Sequence, residues 1–197
     1  MLINEIFYSL QGEGINTGKA AIFIRLAKCN LRCSFCDTDF DHGDEMSLEK
    51  IWQAIADYPA RFIIWTGGEP TLQLSEQAVE FFHSKGYTQA IETNGTRRPP
   101  RGLDYITCSP KPEALKLLHK SFPEGVSEFR FPISADGPLP PPISELPKAS
   151  AYLVSPIFVG DDAMQLDKAS VERCVEFVLK HPQWRLSLQT HKLIDIR

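Results

Sequence analysis

Ala20-Ala-Ile-Phe-Ile-Arg-Leu26 runs directly into Ala27-Lys-Cys29-Asn-Leu-Arg-Cys33-Ser-Phe-Cys36, and this junction of an apolar, β-branched run with a tight group of thiols decides the fold. The first part has the composition of a buried strand. The cysteine segment is too short to be anything but a loop, so the chemistry sits just past the end of a strand. Runs of the same kind recur at 61–65, 88–93, 103–107, 128–133, 151–154 and 185–189. Between several of them the spacing turns helical. Leu48, Ile51, Trp52 and Ile55 share one face behind Ser47 as N-cap. Val79 and Phe82 face inward from a segment capped by Ser75 and stopped by Gly86. Val171, Cys174, Val175 and Val178 share a third face, with Ser170 as N-cap. This alternation predicts βα units and a parallel sheet, open or curled into a partial barrel.

Two segments resist the pattern. In 97–102 (RRPPRG) and in the Pro-rich stretch 136–149, prolines remove backbone donors and favour connections over regular elements. About three full helices remain, too few for an eightfold barrel. The expected architecture is α/β, a partial, helix-reduced (β/α) barrel with a mostly parallel six-stranded sheet, forming one domain over 1–197. No internal repeat is visible.

With 197 residues, 43% of them hydrophobic, the chain can fill one core. A net charge of -4 lacks the excess of Lys and Arg that a nucleic-acid surface needs, so nucleic acid is not expected as a direct partner. The start MLINEIFYSLQGEG has no basic segment followed by an apolar run, and no stretch approaches the roughly 18 apolar residues of a membrane span. A cytoplasmic protein is expected, where clustered cysteines serve as metal ligands or redox groups more often than as disulfides.

Thiolates suit iron or zinc, and three so close together repel one another unless a cation lies between them. A structural zinc would need a fourth ligand such as Cys108 or His42, and a redox pair would need only Cys33 and Cys36. The C-x3-C-x2-C spacing resembles the signature of the radical S-adenosylmethionine superfamily. Trp65-Thr-Gly-Gly-Glu-Pro70, after the next strand, resembles its second signature. The resemblance implies a 4Fe-4S cluster on Cys29, Cys33 and Cys36, with the fourth iron left to chelate S-adenosylmethionine. It also implies that the backbone of Gly67, Gly68 and Glu69 holds the amino group of the methionine moiety.

Further segments resemble one family within that superfamily, the 7-carboxy-7-deazaguanine synthases, nearly end to end. They are Glu5 to Gly14 (EIFYSLQGEG), Phe23 to Leu26, Cys36-Asp-Thr38, Glu92 to Gly95, Ser109-Pro110-Lys111 and Leu188 to Lys192 (LQTHK). That resemblance implies a Mg2+-dependent radical ring contraction of 6-carboxy-5,6,7,8-tetrahydropterin to 7-carboxy-7-deazaguanine with loss of ammonia, a step of queuosine-type 7-deazapurine biosynthesis. Leu10, Gln11, Gly12, Glu13, Arg25, Thr66, Glu92 and His191 would contact substrate, and Thr38 would ligate the magnesium. Gly68, Ser109, Pro110 and Lys111 would line the cofactor, with Phe35 and Ser155 beside them. Arg25 suits a bidentate grip on a carboxylate, and Glu13 and Glu92 supply acceptors for the N-H groups of a planar base edge, with Glu92 equally suited to serve the cofactor.

His42, His83, His119 and His181 lie in no motif, and Cys108 and Cys174 read as packing residues. A helix-poor barrel leaves apolar surface for a second subunit, so a homodimer is expected, served by a reductant such as flavodoxin. Two other functions remain compatible with the cysteines: an activase of the glycyl-radical type and a non-catalytic iron-sulfur module.

Overall fold

The structure, a computed structural model, describes residues 1–33, 36, 40–159 and 165–196. Its strands are β1 (Leu2–Leu10), β2 (Ala20–Leu26), β3 (Asp44–Glu45), β4 (Phe62–Gly67), β5 (Thr88–Thr93), β6 (Tyr105–Cys108), β7 (Val126–Ile133), β8 (Ala149–Pro156), β9 (Phe158–Val159), β10 (Gln165–Leu166) and β11 (Trp184–Leu186). The helices are α1 (Leu48–Ile55), α2 (Glu76–Ser84), α3 (Leu118–Ser121), α4 (Lys168–Lys180) and α5 (Thr190–Leu193). Nine strands form one sheet in the order β11-β8-β7-β6-β5-β4-β2-β1-β3, and β9 pairs with β10 apart from it. From β2 to β11 every pairing is parallel, whereas β1 on β2 and β3 on β1 are antiparallel.

The mostly parallel sheet is as expected, but among the described residues it has nine strands rather than six. β1 carries little strand signal because only Ile3 and Phe7 of its nine residues are buried. β3 is a two-residue edge, and β11 stops at Leu186 rather than continuing to 189.

The helices follow from their caps. Ser47 accepts from the Lys50 N-H (3.3 Å) and Ser75 from the Ala78 N-H (3.2 Å), and Gly86 takes the left-handed φ of +83° that ends α2. α4 differs from expectation. Its N-cap is Asp167, which accepts the Ser170 N-H (3.0 Å) and also the Ser170 hydroxyl, so Ser170 lies inside the helix and fully buried. The face that packs is Ser170, Cys174 and Phe177, while Val175 is exposed, because the sheet meets the helix about one residue further round.

The central parallel strands bury residues on both faces. Outward, Ile22, Ile24, Leu26, Ile63, Trp65 and Ile91 pack against α1 and α2, and Phe129, Phe131, Ile133 and Val154 pack with Cys174, Phe177 and Trp184. Trp65 and Phe82 are both fully buried and meet edge to face at 5.3 Å; truncating either would cost about 3–5 kcal/mol.

Inward, cross-strand register sets up two rows. Phe7, Phe23, Ile64, Ala90 and Tyr105 are successive neighbours in an apolar row. One pleat further along, Glu5 opposes Arg25, Arg25 opposes Thr66, and Glu92, Thr107 and Glu128 oppose one another in turn, forming a polar belt. Connections 94–104 and 134–148 contain no α-helix, as their prolines require. Among the described residues no helix is long and apolar enough to cross a membrane.

Candidate active site

The sheet curls enough that Phe7 of β1 and Ser155 of β8 line one cavity of about 340 Å3, at the end where the parallel strands terminate. Leu10, Gln11, Gly12, Glu13, Arg25, Cys29, Cys33, Cys36, Thr66, Gly67, Gly68, Glu92, Ser109, Lys111, Ser155 and His191 all line it. Glu69 and Pro110 lie outside that lining, and Phe35 and Thr38 fall outside the described residues.

The thiol wall is built on close backbone approach. The Gly68 N-H donates to Leu26 O (2.9 Å) and the Glu69 N-H to Lys28 O (2.9 Å), stitching the Gly-Gly-Glu-Pro turn to the root of the cysteine loop. A Cβ on Gly68 would stand 1.9 Å from Lys28 O, and one on Gly67, at φ +113°, 2.3 Å from Leu26 O, so only glycine fits either position. Glu69 is fully buried, and its carboxylate accepts from Thr71 N (3.0 Å), Thr71 Oγ1 (2.6 Å), Thr93 Oγ1 (2.8 Å) and Asn94 N (2.7 Å). The side chain therefore ties this turn to the end of β5.

Burial pushes the Cys33 thiol up from its ordinary value, with Cys36 and Cys29 adding to the shift and Lys111 opposing it. Such thiols become thiolates when a metal cation compensates them. Cys108 is buried in the apolar cluster beneath Gly95 and Leu118 and does not reach the cavity. Among the described residues no three His, Cys, Asp or Glu side chains already converge as a preformed metal site. The donor set fits a cluster with three protein thiolates and one open iron: three soft ligands share a wall, and the nearest further thiol is shut away. An ammonium group needs acceptors, and carbonyls of the Gly67-Gly68 turn can supply them.

Residues of the polar belt line the same cavity. Glu5 anchors Arg25 through Nε (2.7 Å). Gln11 Nε2 donates to Glu92 Oε1 (3.1 Å), and Gln11 Oε1 accepts the Glu13 N-H (3.1 Å). Arg130, 8% exposed, meets Glu92 (2.6 Å), Glu13 (3.2 Å) and Glu128 (3.2 Å). Burial, reinforced by Glu13 and Glu128 and opposed by Arg130, pushes the Glu92 carboxyl up to about 7. The loop bearing Gln11 to Gly14 is held by the C-terminal segment. The Thr190 N-H and hydroxyl both donate to Gly12 O (2.9 Å each), and Ser187 Oγ accepts the Gly14 N-H (2.9 Å). His191 packs directly on Gly12, where a Cβ would stand 2.0 Å from its Nδ1.

Sequence reasoning missed Arg130, Asn94, Gln189 and Lys192 in the lining, and Glu128 behind it. For β7 the signal was present: in EFRFPI the charges alternate with Phe129, Phe131 and Ile133, the period of a strand with one face on a core and one on a site.

Residues 23–138 match the Radical SAM superfamily. A 7-carboxy-7-deazaguanine synthase of Bacteroides thetaiotaomicron is 43% identical over 195 residues, 99% of this chain and 98% of that protein. One from Haemophilus influenzae is 38% identical over 196 residues, covering 98% and 93%. The crystal structure of QueE from Escherichia coli superposes with a TM-score of 0.69 at 26% identity, covering 95% of this chain and 92% of that one. Superfamily membership brings the 4Fe-4S cluster and S-adenosylmethionine and removes the zinc and dithiol readings of the cysteines. With the thiol wall, the glycine turn and near full-length relatives in agreement, the chain belongs to the 7-carboxy-7-deazaguanine synthase family of the radical SAM superfamily.

Proposed function

We propose that this enzyme converts 6-carboxy-5,6,7,8-tetrahydropterin to 7-carboxy-7-deazaguanine in a Mg2+-dependent radical ring contraction with loss of ammonia. The observation that carries the reading is one cavity lined both by Cys29, Cys33 and Cys36 and by the Arg25 guanidinium with the Glu13 and Glu92 carboxylates. Cys29, Cys33 and Cys36 would hold the cluster, which together with S-adenosylmethionine supplies one-electron chemistry and hydrogen abstraction. The chain's own residues bind and orient. Arg25, steadied by Glu5, takes the substrate carboxylate. Glu13 and Glu92 accept from the ring N-H groups, with Leu10, Gln11, Gly12, Thr66 and His191 closing around the ring. Ser109, Lys111, Ser155 and the Gly67-Gly68 backbone would hold the cofactor, a role also assigned to Phe35 from its place in the sequence motif. Thr38 would supply a hard oxygen ligand to the magnesium. The protein acts as a cytoplasmic single-domain homodimer reduced by a small electron carrier such as flavodoxin.

The test is mass spectrometry of small-molecule products under anaerobic conditions. Reduced protein given S-adenosylmethionine, Mg2+ and the pterin should release 7-carboxy-7-deazaguanine, and the Cys33→Ala blank should not. Arg25→Ala should lower turnover by roughly 10- to 1000-fold, the loss expected when a carboxylate forfeits its charged partner, with a much smaller effect on cofactor binding. 5'-Deoxyadenosine without the deazaguanine would keep the superfamily and discard the substrate.

A further inference from the structure

Arg130 has no role in the reading above, yet its guanidinium joins three elements at the edge of the cavity. A single nitrogen, Nη2, holds Glu92 Oε2 of β5 (2.6 Å) and Glu13 Oε2 of the loop after β1 (3.2 Å), while Nη1 holds Glu128 Oε1 of β7 itself (3.2 Å). Glu128 is committed elsewhere. Its Oε2 takes the Ile15 N-H (2.9 Å) and the Tyr105 hydroxyl (2.9 Å), and it does not line the cavity. Glu13 and Glu92 do line it, with side chains 20% and 16% exposed.

One cation against three carboxylates is a poor device for stability, since a buried ion pair seldom outperforms apolar packing and here the charges do not balance. The surplus is acceptor capacity, and it faces the cavity. The ligand that uses it is a planar heterocycle presenting adjacent N-H donors. A 2-amino-4-oxopyrimidine has that edge, and ring contraction of a pterin to a deazaguanine leaves it unchanged.

We propose that Arg130 is a positioning residue for ligand recognition: by drawing Glu13 and Glu92 onto one nitrogen it presents them as a joint acceptor for the N-H edge of the pyrimidine ring, common to substrate and product. This deepens the proposed function and rests on it. One consequence is that product binds through the same contacts and competes with substrate. Another concerns pH. The groups facing Glu92 are Arg130 and Glu128 from β7, Glu13 and Gln11 from the loop after β1, and Tyr105 from β6. Of the charged groups among these, Arg130 is the one that holds the Glu92 proton affinity down. Without it Glu92 stays protonated to higher pH and offers a donor where an acceptor is needed.

The experiment uses anaerobic holoenzyme with S-adenosylmethionine, comparing wild type with Arg130→Gln and Arg130→Lys. Affinity for 7-carboxy-7-deazaguanine is measured by calorimetry from pH 5.5 to 8.5, pterin KM and kcat are measured in turnover, and folding is checked by melting. Arg130→Gln should weaken product binding and raise the pterin KM by about tenfold or more, move the acid limb of product binding upward, and change kcat less than KM. Arg130→Lys should recover part of the loss, because a point charge cannot serve the carboxylates as a planar fork does. If Arg130→Gln does not fold, Arg130→Gln with Glu128→Gln removes the orphaned buried charge and takes its place. A folded variant with unchanged product affinity, KM and acid limb, in an enzyme whose wild type turns over the pterin, overturns the proposal and leaves the function intact. A wild type that neither binds the product nor converts the pterin overturns the function and this proposal with it.

Discussion

Glu69 and Glu92 stand in neighbouring strand ends and show how environment separates two carboxylates. Glu69 accepts four hydrogen bonds from within the fold. Glu92 is buried with one amide and with one guanidinium that it shares with two other carboxylates, and burial first of all pushes its carboxyl up to about 7 from 4.5. The sign follows from linkage. Below pH 4.5 both folded and unfolded states carry the proton; between there and 7 the unfolded chain ionises first, so the wild type loses stability as pH rises. Glu92→Gln removes that loss. Its stability relative to wild type should rise across the same window by up to about 3 kcal/mol, read from urea unfolding at pH 4.5, 6 and 8. A pH-independent difference would show that Glu92 does not titrate in this range.

At the scale of elements, the loop after β1 owes its shape to a partner nearly the whole chain away. Its carbonyl and N-H groups at Gly12 and Gly14 are taken by Thr190 and Ser187, and Glu128 occupies the space that a side chain at position 14 would need. Gly14 has φ +69°, and an added Cβ would stand 2.1 Å from Glu128 Oε1. Gly14→Ala should therefore cost about 1–2 kcal/mol of backbone strain plus displacement of a buried carboxylate, with a matching fall in pterin turnover. Gly18→Ala is the control: φ is +83° there, but nothing lies within 4 Å, so only the strain is felt. Equal melting-temperature losses for the two would show that the Glu128 contact is soft. α4 shows the same dependence on neighbours, since Asp167 rather than Ser170 caps it once Ser170 is drawn into the packed face.

For the whole molecule, curvature divides the five cysteines into two populations. Cys29, Cys33 and Cys36 line the cavity; Cys108 and Cys174 lie on the outer side of the sheet within the second core. Anaerobically reconstituted protein should bind one 4Fe-4S cluster, lost or rendered unreactive by Cys29→Ala, Cys33→Ala or Cys36→Ala and retained by Cys108→Ala and Cys174→Ala. Iron analysis with electron paramagnetic resonance reads this directly. Loss of the cluster on changing Cys108 would disprove a site with one iron free of protein. Melting temperature should show the opposite ranking, because the last two substitutions leave voids in a packed core.

What the sequence determined by itself is what short-range patterning can encode. The parallel strands announced themselves because burial on both faces makes near-continuous apolar runs, and α1 and α2 did so because their caps and periodic faces lie within a few residues of each other. The cysteine loop and the glycine turn were legible for the same reason: their chemistry is contained in eight and six consecutive residues. β1 was not, because one of its faces meets the cavity rather than a core, which erases the alternation that marks a strand. The belt of Arg25, Glu92, Glu128 and Arg130 was legible only in pieces. Its charges come from β2, β5 and β7, and what brings them together is cross-strand register on a curved sheet, a relation between residues up to 105 positions apart that no local pattern carries.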